Sequence, residues 1–365
     1  MSYATIIHTA IAFPPYSYNH HEVLPYLEQW VCNLPPESKK RALTIFQNTF
    51  VEKRHGIAPI AELFKKRTLT KSNQLYKETI IDISAQALQK ALHQAQWKAS
   101  EINLIITTSC TGVMLPSFDA YLVNKLQMST NIKRLPITEI GCVAGVAAYA
   151  YAYDYLKAYP QHKVAIISAE FPSNTIQLDD FSMDNIVGTI IFADGVACSL
   201  LTGNAAGVQI LDHESLQIPN TTKILGYDLY SEGLRLVLNK RLPFIIEESI
   251  HPLLAGILKR QKLSLNDIDD FLIHPGGTKI IERIEKSLNR SMSDSREVMS
   301  TYGNLSSATI GVILNQYMER MRYASPRKIM LLGFGPGLTA YALYCNYVGA
   351  NEREQERERE EKREQ

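Results

Sequence analysis

Short apolar runs alternate with stretches of helical periodicity along most of this chain. Residues 102–108, 164–168 and 329–334 are rich in apolar and β-branched side chains, which is typical of strands buried on both faces. Residues 117–126 and 243–261 instead place their apolar side chains at helical spacing. Because strands and helices alternate, the pattern predicts a layered α/β architecture.

The later part of the chain repeats this rhythm. A strand begins near Gly207, a second strand is predicted over residues 270–274, a helix over 279–288, and the apolar segment 339–347 closes the set. Two similar halves are therefore predicted. Their extents are residues 1–220 for the N-terminal half, 221–350 for the C-terminal half, and 351–365 for a charged tail that is either disordered or a solvated helix.

One segment carries the signal of a β-hairpin. Residues 189–201 consist of two apolar runs on either side of Asp194-Gly195. An Asp-Gly pair between such runs is the strongest short-range indication of a tight turn. We therefore expect two antiparallel strands in this segment.

Composition narrows the class of protein. Of the 365 residues, 45% are hydrophobic and 21% are charged, so the chain can form a sizeable core. The net charge of +1 gives no indication that nucleic acid or an anionic membrane is a partner. The N-terminus lacks the basic start of a signal peptide, and no apolar run reaches the roughly eighteen residues of a membrane span.

The five cysteines favour free thiols. Their number is odd and no C-x-x-C pair occurs, so neither a disulfide framework nor a zinc or other metal site is indicated. Free thiols fit a reducing cytoplasm, which is the predicted location.

One of these cysteines is a candidate nucleophile. Cys142 follows Gly141 and precedes a helix of small residues that is predicted to run to about Tyr159. A thiol at a helix N-terminus faces the positive end of the backbone dipole, which lowers the pKa of the thiol. The thiolate is the reactive form in acyl transfer. The alternative interpretation is a structural cysteine at a strand–helix junction.

Two polar residues could complete such a site. His274 closes a predicted strand and is followed by Pro-Gly-Gly, and loops at strand ends carry catalytic groups in α/β folds. Asn304 follows a glycine and precedes a helix of small residues, and its amide can donate a hydrogen bond to a developing oxyanion. The alternatives are a structural histidine and an ordinary Gly-Asn turn.

A glycine-rich loop is the fourth motif. Residues 333–339 hold three glycines around a proline, which permits close backbone approach, and the absence of Gly-Lys-Ser/Thr excludes a P-loop. Together the motifs resemble the type III polyketide synthase (chalcone synthase-like) family. They are GCVAG at 141–145, IHPGG at 273–277, YGNLSSA at 302–308 and GFGPGLT at 333–339, and the resemblance spans residues 5–347. The stretch SCTGVMLPS at 109–117 makes the microbial branch of that family the nearer likeness.

The resemblance implies a five-layered αβαβα thiolase-like fold and an acyltransferase. Cys142 would be loaded with an acyl starter, and His274 would raise its nucleophilicity. His274 and Asn304 would stabilise the enolate and the tetrahedral intermediate. Malonyl-CoA would supply each extension by losing CO₂ without a cofactor, and the product would cyclise to a pyrone or resorcinol.

The resemblance also implies a set of residues that line the substrate cavity. They are Cys110, Thr111, Thr175, Leu236, Ser306, Gly335 and Pro336. Leu236 stands where plant members carry an aromatic ring that gates their cavity. We therefore expect room for a longer acyl-CoA starter, such as a fatty acyl group.

Partners follow from the same likeness. The family works as a homodimer in which one loop residue of each subunit reaches across to the partner subunit. Met114 or Leu115 would be that residue here. Lys53 and Arg54 match the basic stretch near the CoA tunnel, but residues 44–48 are uncharged where plant members are basic. Basic residues at 39–41 could substitute, or a carrier protein could deliver the starter.

Two other functions are alternatives. A ketoacyl synthase III condenses only once, but such enzymes carry His-Gln-Ala-Asn where this chain has His274-Pro-Gly-Gly. A catalytically silent dimeric homologue would be an interaction protein. All three catalytic residue types are present, which favours the enzyme.

Overall fold

The computed structural model describes residues 3–322 and 325–349 of the chain. Its strands are β1 (Ala4–Ala12), β2 (Tyr16–Asn19), β3 (Lys53–Gly56), β4 (Leu104–Thr108), β5 (Lys133–Ile137), β6 (Val164–Glu170), β7 (Gly195–Gly203), β8 (Gly207–Gln217), β9 (Leu225–Leu229), β10 (Leu234–Leu238), β11 (Asp270–Ile273), β12 (Arg327–Gly335) and β13 (Thr339–Val348). Its helices are α1 (His20–Trp30), α2 (Pro36–Gln47), α3 (Ile60–Leu63), α4 (Leu69–Ala95), α5 (Phe118–Lys125), α6 (Ala144–Ala158), α7 (Met183–Ile191), α8 (Leu242–Gln261), α9 (Thr278–Leu288), α10 (Ser293–Tyr302) and α11 (Thr309–Arg320).

Nine strands form one mixed sheet in which four strands of each half follow the same order, while β5 has no counterpart among the described strands of the second half. The order across the sheet is β11-β12-β13-β8-β1-β7-β6-β4-β5. In each half the first strand, β1 or β8, pairs with the last strand, β7 or β13. The two half-sheets meet where β1 pairs with β8 over the three residue pairs from Ala4↔Ile210 to Ile6↔Val208. The predicted division near residue 220 stays a prediction.

Side-chain alternation along the buried strands separates the interior into layers. On β4, Ile105 packs in the core that includes α4, whereas Leu104 and Ile106 belong to the core around α6 and α11. On β12, Leu331 faces the same central helices, and Met330 packs in the core that includes α8 and α9. The layers are therefore helix, half-sheet, helix, half-sheet and helix, which confirms the five-layered αβαβα prediction.

Small residues let the central helices lie close to their neighbours. A Cβ atom on Gly145 of α6 would overlap the carbonyl oxygen of Ser307, just before α11. A Cβ atom on Gly311 of α11 would lie 2.6 Å from the Cβ of Ala197 on β7. The Ala- and Gly-rich sequence of α6 thus allows it to lie between the two half-sheets.

Most of the predicted elements are present. The strands expected over 102–108, 164–168, 270–274 and 329–334 and the helices over 117–126, 243–261 and 279–288 are confirmed within one or two residues. The charged tail at 351–365 lies outside the described residues. No helix in the described part of the chain is both long and apolar enough to cross a membrane.

The predicted hairpin over 189–201 is wrong. Thr189 to Ile191 end helix α7, and only the segment after Asp194 is a strand. Asp194 is fully buried and its carboxylate accepts hydrogen bonds from the backbone N–H groups of Ile57 and Ser173. The Asp-Gly pair therefore anchors the start of β7 inside the protein, where packing outweighs the β propensity of the preceding residues.

Candidate active site

Cys142 lies in a 3₁₀ turn between β5 and the central helix α6. The preceding Gly141 has φ +57°, and a Cβ atom there would overlap the ring of Pro336. Glycine is required at this position for both reasons. The Sγ of Cys142 is 3.2 Å from the Oγ of Ser306. The thiol is thus held at the junction of the two halves.

His274 follows β11 and is only 4% exposed. Its backbone N–H donates to the carbonyl of Leu332 on the neighbouring strand, with a distance of 2.9 Å. Its Nδ1 has no hydrogen-bond partner among the described residues. A buried ring nitrogen without a partner costs free energy, which is typical of a functional group that acts on a ligand.

Asn304 is fixed by both its backbone and its side chain. Its N–H donates to the carbonyl of Ile191, and its own carbonyl accepts from the N–H of Ala193. The Oδ1 atom accepts from the N–H of Ser306 at 2.8 Å, and Nδ2 donates to the carbonyl of Gly276 at 3.4 Å. The carboxamide is therefore oriented with its NH₂ group toward the loop that follows His274.

The three side chains meet at one cavity. Cys142, His274 and Asn304 line it together, although they are distant in sequence. The rest of its wall is mostly apolar: Ile191, Phe192, Leu225, Leu238, Leu242, Ile246, Gly276, Ile280 and Phe334. An apolar wall lowers the local dielectric constant and strengthens any charge–dipole contact made inside it.

Burial sets the protonation of both titratable groups in this cavity. It raises the pKa of Cys142 to about 12, a shift that the hydrogen bond from Ser306 opposes and the charge of Glu170 reinforces. Burial lowers the pKa of His274 to about 4. The expectation that the helix N-terminus gives this thiol a low pKa is therefore wrong, because desolvation outweighs the dipole.

A buried carboxylate that sequence reasoning missed lies beside the thiol. Glu170, at the end of β6, is fully buried, and desolvation raises its pKa. It accepts hydrogen bonds from the hydroxyl groups of Thr111 (3.1 Å), Ser306 (3.3 Å) and Ser307 (2.6 Å) and from the backbone N–H of Cys110 (3.0 Å). The available signal was a lone charge that ends an otherwise apolar strand.

Thr175 and Leu236 line a second cavity. Phe192 lines both cavities, so the two cavities adjoin at this residue. The hydroxyl group of Thr175 is 3.5 Å from that of Tyr227. Half of the residues in the rest of the wall are apolar, and half are polar. The apolar ones are Val23, Ile60, Leu63, Phe64, Pro172, Ile176 and Gly188, and the polar ones are Tyr18, Arg54, His55, Ser173, Asn185, Thr189 and Tyr227.

The other predicted cavity residues lie around the thiol and line neither of these two cavities. Cys110 and Thr111 contact Glu170, and Ser306 contacts Cys142. Gly335 approaches the carbonyl of Ile140, and Pro336 covers Gly141. The last two residues therefore shape the turn that carries Cys142.

The predicted CoA contacts are not at one place. Lys53 is exposed on β3. Arg54 is 6% exposed and donates from Nη1 to the carbonyl of Thr189 at 3.0 Å. Burial lowers the pKa of Arg54 to about 10. Its guanidinium forms part of the wall of the second cavity, so the placement of Arg54 at an exposed tunnel mouth is wrong.

The chain matches known families along nearly its whole length. The model of the N-terminal domain of chalcone and stilbene synthases matches residues 2–205, and the model of their C-terminal domain matches residues 211–348. A putative chalcone synthase of Bacillus subtilis is 28% identical over 361 residues, which are 94% of this chain and 99% of that protein. Phloroglucinol synthase of Pseudomonas fluorescens is 30% identical over 345 residues, which are 90% of this chain and 95% of that protein.

Solved structures give the same result. The crystal structure of 1,3,6,8-tetrahydroxynaphthalene synthase from Streptomyces coelicolor A3(2), a bacterial type III polyketide synthase, superposes with a TM-score of 0.91 and 28% identity. The match covers 95% of this chain and 100% of that one. The five-layered arrangement is thus shared with enzymes of known structure.

Proposed function

The chain belongs to the chalcone and stilbene synthase family and is a type III polyketide synthase, and on this premise we propose that Cys142 carries the growing acyl chain. The observation that supports this role is the convergence of Cys142, His274 and Asn304 on one apolar cavity. In loading, the sulfur attacks the thioester carbonyl of the starter, and the CoA thiol leaves with the proton that the sulfur gives up.

Each extension then follows from the positions of His274 and Asn304. Malonyl-CoA loses CO₂, and the electron pair of the broken C–C bond becomes an enolate. The buried imidazole and the oriented carboxamide donate hydrogen bonds to its oxygen. The enolate carbon attacks the thioester on Cys142, which forms the new C–C bond and releases the thiolate. We propose that no cofactor takes part, since the lost carboxylate supplies the electron pair.

We propose that the second cavity holds the acyl part of the starter. It adjoins the thiol cavity at Phe192, and most of the surface that its wall exposes to the cavity is apolar. Leu236 lies in this wall, and by the resemblance it stands where plant members carry an aromatic ring. An apolar chain gains about 0.8 kcal/mol for each methylene that it buries there. A pyrone or resorcinol is the product class that we propose.

We also propose that the enzyme is a homodimer in which Leu115 reaches the partner subunit. Met114 packs partly buried against the N-terminal core, whereas Leu115 is 96% exposed. Val113 and Leu135 are further exposed apolar residues near it, and Leu135 lies on β5 at the edge of the sheet. Of the two candidates, Leu115 is therefore the one available to another subunit.

The location proposed for the enzyme is the cytoplasm. The five cysteines are all free, and a nucleophilic thiol is best preserved in a reducing compartment.

Mass spectrometry of reaction products tests the function. The enzyme is incubated with malonyl-CoA and acyl-CoA starters of increasing length, and products that carry more than one extension are expected. Cys142→Ala should abolish them, and Cys32→Ala, at an exposed cysteine, should leave them unchanged. Persistent product with Cys142→Ala would remove this residue as the nucleophile, and a single condensation would favour a ketoacyl synthase III.

A further inference from the structure

We propose that the second cavity accepts acyl starters that carry a carboxylate at the end opposite to the thioester, and that Arg54 binds this carboxylate. The inference rests on the proposed function, because it names the class of starter that the proposed enzyme would hold in this cavity. Arg54 itself lies in the cavity wall and is buried.

This arginine is a cation without a counter-charge. Its Nη2 atom is buried and has no hydrogen-bond partner in the part of the chain that the structure describes. No carboxylate of the described chain lines the cavity, and Arg54 takes part in none of the ion pairs within residues 3–322 and 325–349. Burial lowers the pKa of Arg54 to about 10, so the guanidinium still carries its charge at neutral pH. Buried charges are normally paired, because an unpaired charge outside water is costly.

One contact offsets part of this charge. Nη1 of Arg54 donates to the carbonyl of Thr189 at 3.0 Å, in the last turn of helix α7. Carbonyl groups at a helix C-terminus carry partial negative charge, but this contact leaves the donors of Nη2 unused. A guanidinium group and a carboxylate have matching geometry, with N–H donors facing two oxygen acceptors. A carboxylate is therefore the ligand group that fits this side chain.

Most other polar side chains of the wall already donate hydrogen bonds within the protein. They are Tyr18, Ser173, Thr175, Asn185 and Thr189. Burial also lowers the pKa of His55, which disfavours a second positive charge in the wall. A ligand in the second cavity thus meets a single cationic group, that of Arg54, in a wall whose other side chains are neutral.

The position of the cavity indicates which molecule brings the carboxylate. A starter acyl group on Cys142 extends past Phe192 into the second cavity, because the two cavities adjoin at that residue. Its methylene groups contact apolar side chains such as Val23 and Leu63, and its distal carboxylate binds Arg54. A free inorganic anion would satisfy the guanidinium but leave the apolar part of the wall without a ligand. A dicarboxylic acyl group satisfies both.

Steady-state kinetics with paired starters test the proposal. Each pair consists of an ω-carboxyacyl-CoA, from succinyl-CoA to pimelyl-CoA, and its ω-carboxamide, which has the same size and no charge. Malonyl-CoA is the extender at a saturating concentration. For the unmodified enzyme, kcat/KM of the best carboxylate should exceed that of its carboxamide at least about tenfold, the effect of a buried hydrogen bond to a charged group. Equal values at every chain length would overturn the proposal.

Variants of Arg54 complete the design. The difference within each pair should disappear in Arg54→Met and return in part in Arg54→Lys, which keeps the charge. Lys286→Met, at an exposed cation on α9, should keep the difference of the unmodified enzyme. A preference that persists in Arg54→Met, or equal losses for both members of each pair, would overturn the role of Arg54. If Arg54→Met fails to fold, the paired comparison in the unmodified enzyme decides. Extension of no starter, charged or neutral, would instead overturn the proposed function.

Discussion

Burial, rather than charge pairing, controls the ionisable groups of this site. His274 and Glu170 are both buried. Desolvation disfavours their charged forms, so it lowers the pKa of His274 and raises the pKa of Glu170. Glu170 receives four hydrogen bonds from neighbouring hydroxyl and N–H groups that hold it in place, whereas Nδ1 of His274 has no such partner in the described chain. The side chain of Glu170 is therefore held in place by its hydrogen bonds. The imidazole of His274 is the group that stays available to the substrate.

The pKa of His274 predicts how stability depends on pH. It is about 4 in the folded protein and 6.5 in an ordinary environment, so the unfolded chain takes up the proton first as pH falls. The free energy of unfolding should therefore decrease between pH 6.5 and pH 4, by roughly 3 kcal/mol from this residue. Urea denaturation at pH 7 and pH 4.5 should show a smaller loss for His274→Gln. An equal loss in both proteins would contradict the assignment.

At the scale of elements, the contact between α7 and the β9–β10 hairpin shapes the starter cavity. A Cβ atom on Gly188 of α7 would lie 2.6 Å from Cδ2 of Leu236 on β10. The Oδ2 of Asp184 accepts a hydrogen bond from the N–H of Leu238, which ties the hairpin to the start of the helix. The size of the second cavity thus depends on how closely α7 and the β9–β10 hairpin approach each other.

Leu236→Phe should shorten the starters that the enzyme accepts. A ring in place of the leucine would occupy the volume that an acyl chain uses, so kcat/KM for long starters should fall about tenfold relative to short ones, the effect of roughly two buried methylenes. Val237→Phe is the control, because neighbouring side chains on a strand point to opposite faces. The same length preference in Leu236→Phe and the unmodified enzyme would refute this role of the cavity.

Helices and strands are predicted best from the sequence where hydrophobic burial alone decides the structure. The strands at 164–168 and 329–334 are apolar on both faces, and their burial between helices follows directly. The helical segment at 189–191 was mistaken for a strand, because Thr and Ile favour strands and only the packing of α7 overrides them.

The candidate site was predicted in part for similar reasons. Cys142, His274 and Asn304 each stand at the end of an element with a distinctive motif, so sequence could single them out. Glu170 has no motif, and its importance appears only when the chain around Cys110 and Ser307 folds onto it. The exposure that separates Leu115 from Met114 is likewise a tertiary property.

At the scale of the molecule, one edge of the large sheet belongs to the face that we propose for dimerisation. Strand β5 forms that edge and pairs with β4 on its inner side. Leu115 and Leu135 expose apolar surface at this end of the protein, which a partner subunit would cover.

The dimer is tested by a charge at Leu115. Sedimentation of the unmodified protein should give twice the chain mass of 41.1 kDa. Leu115→Asp should weaken dimerisation at least about tenfold, since a carboxylate would be buried without a partner. Leu229→Asp is a matched control, because Leu229 is also exposed but lies on the β9–β10 hairpin. A monomeric unmodified protein, or equal dissociation constants for all three, would contradict the proposal.

The seam where β1 meets β8 has one more consequence. The nucleophile lies between β1 and β8 in the chain, and the histidine and asparagine lie after β8, so each half holds an incomplete catalytic set. A chain severed in the short connection between β7 and β8 would yield two inert fragments. Activity would return only by complementation, when the fragments associate and restore the shared central layer, and it would thereby report on assembly of the two halves.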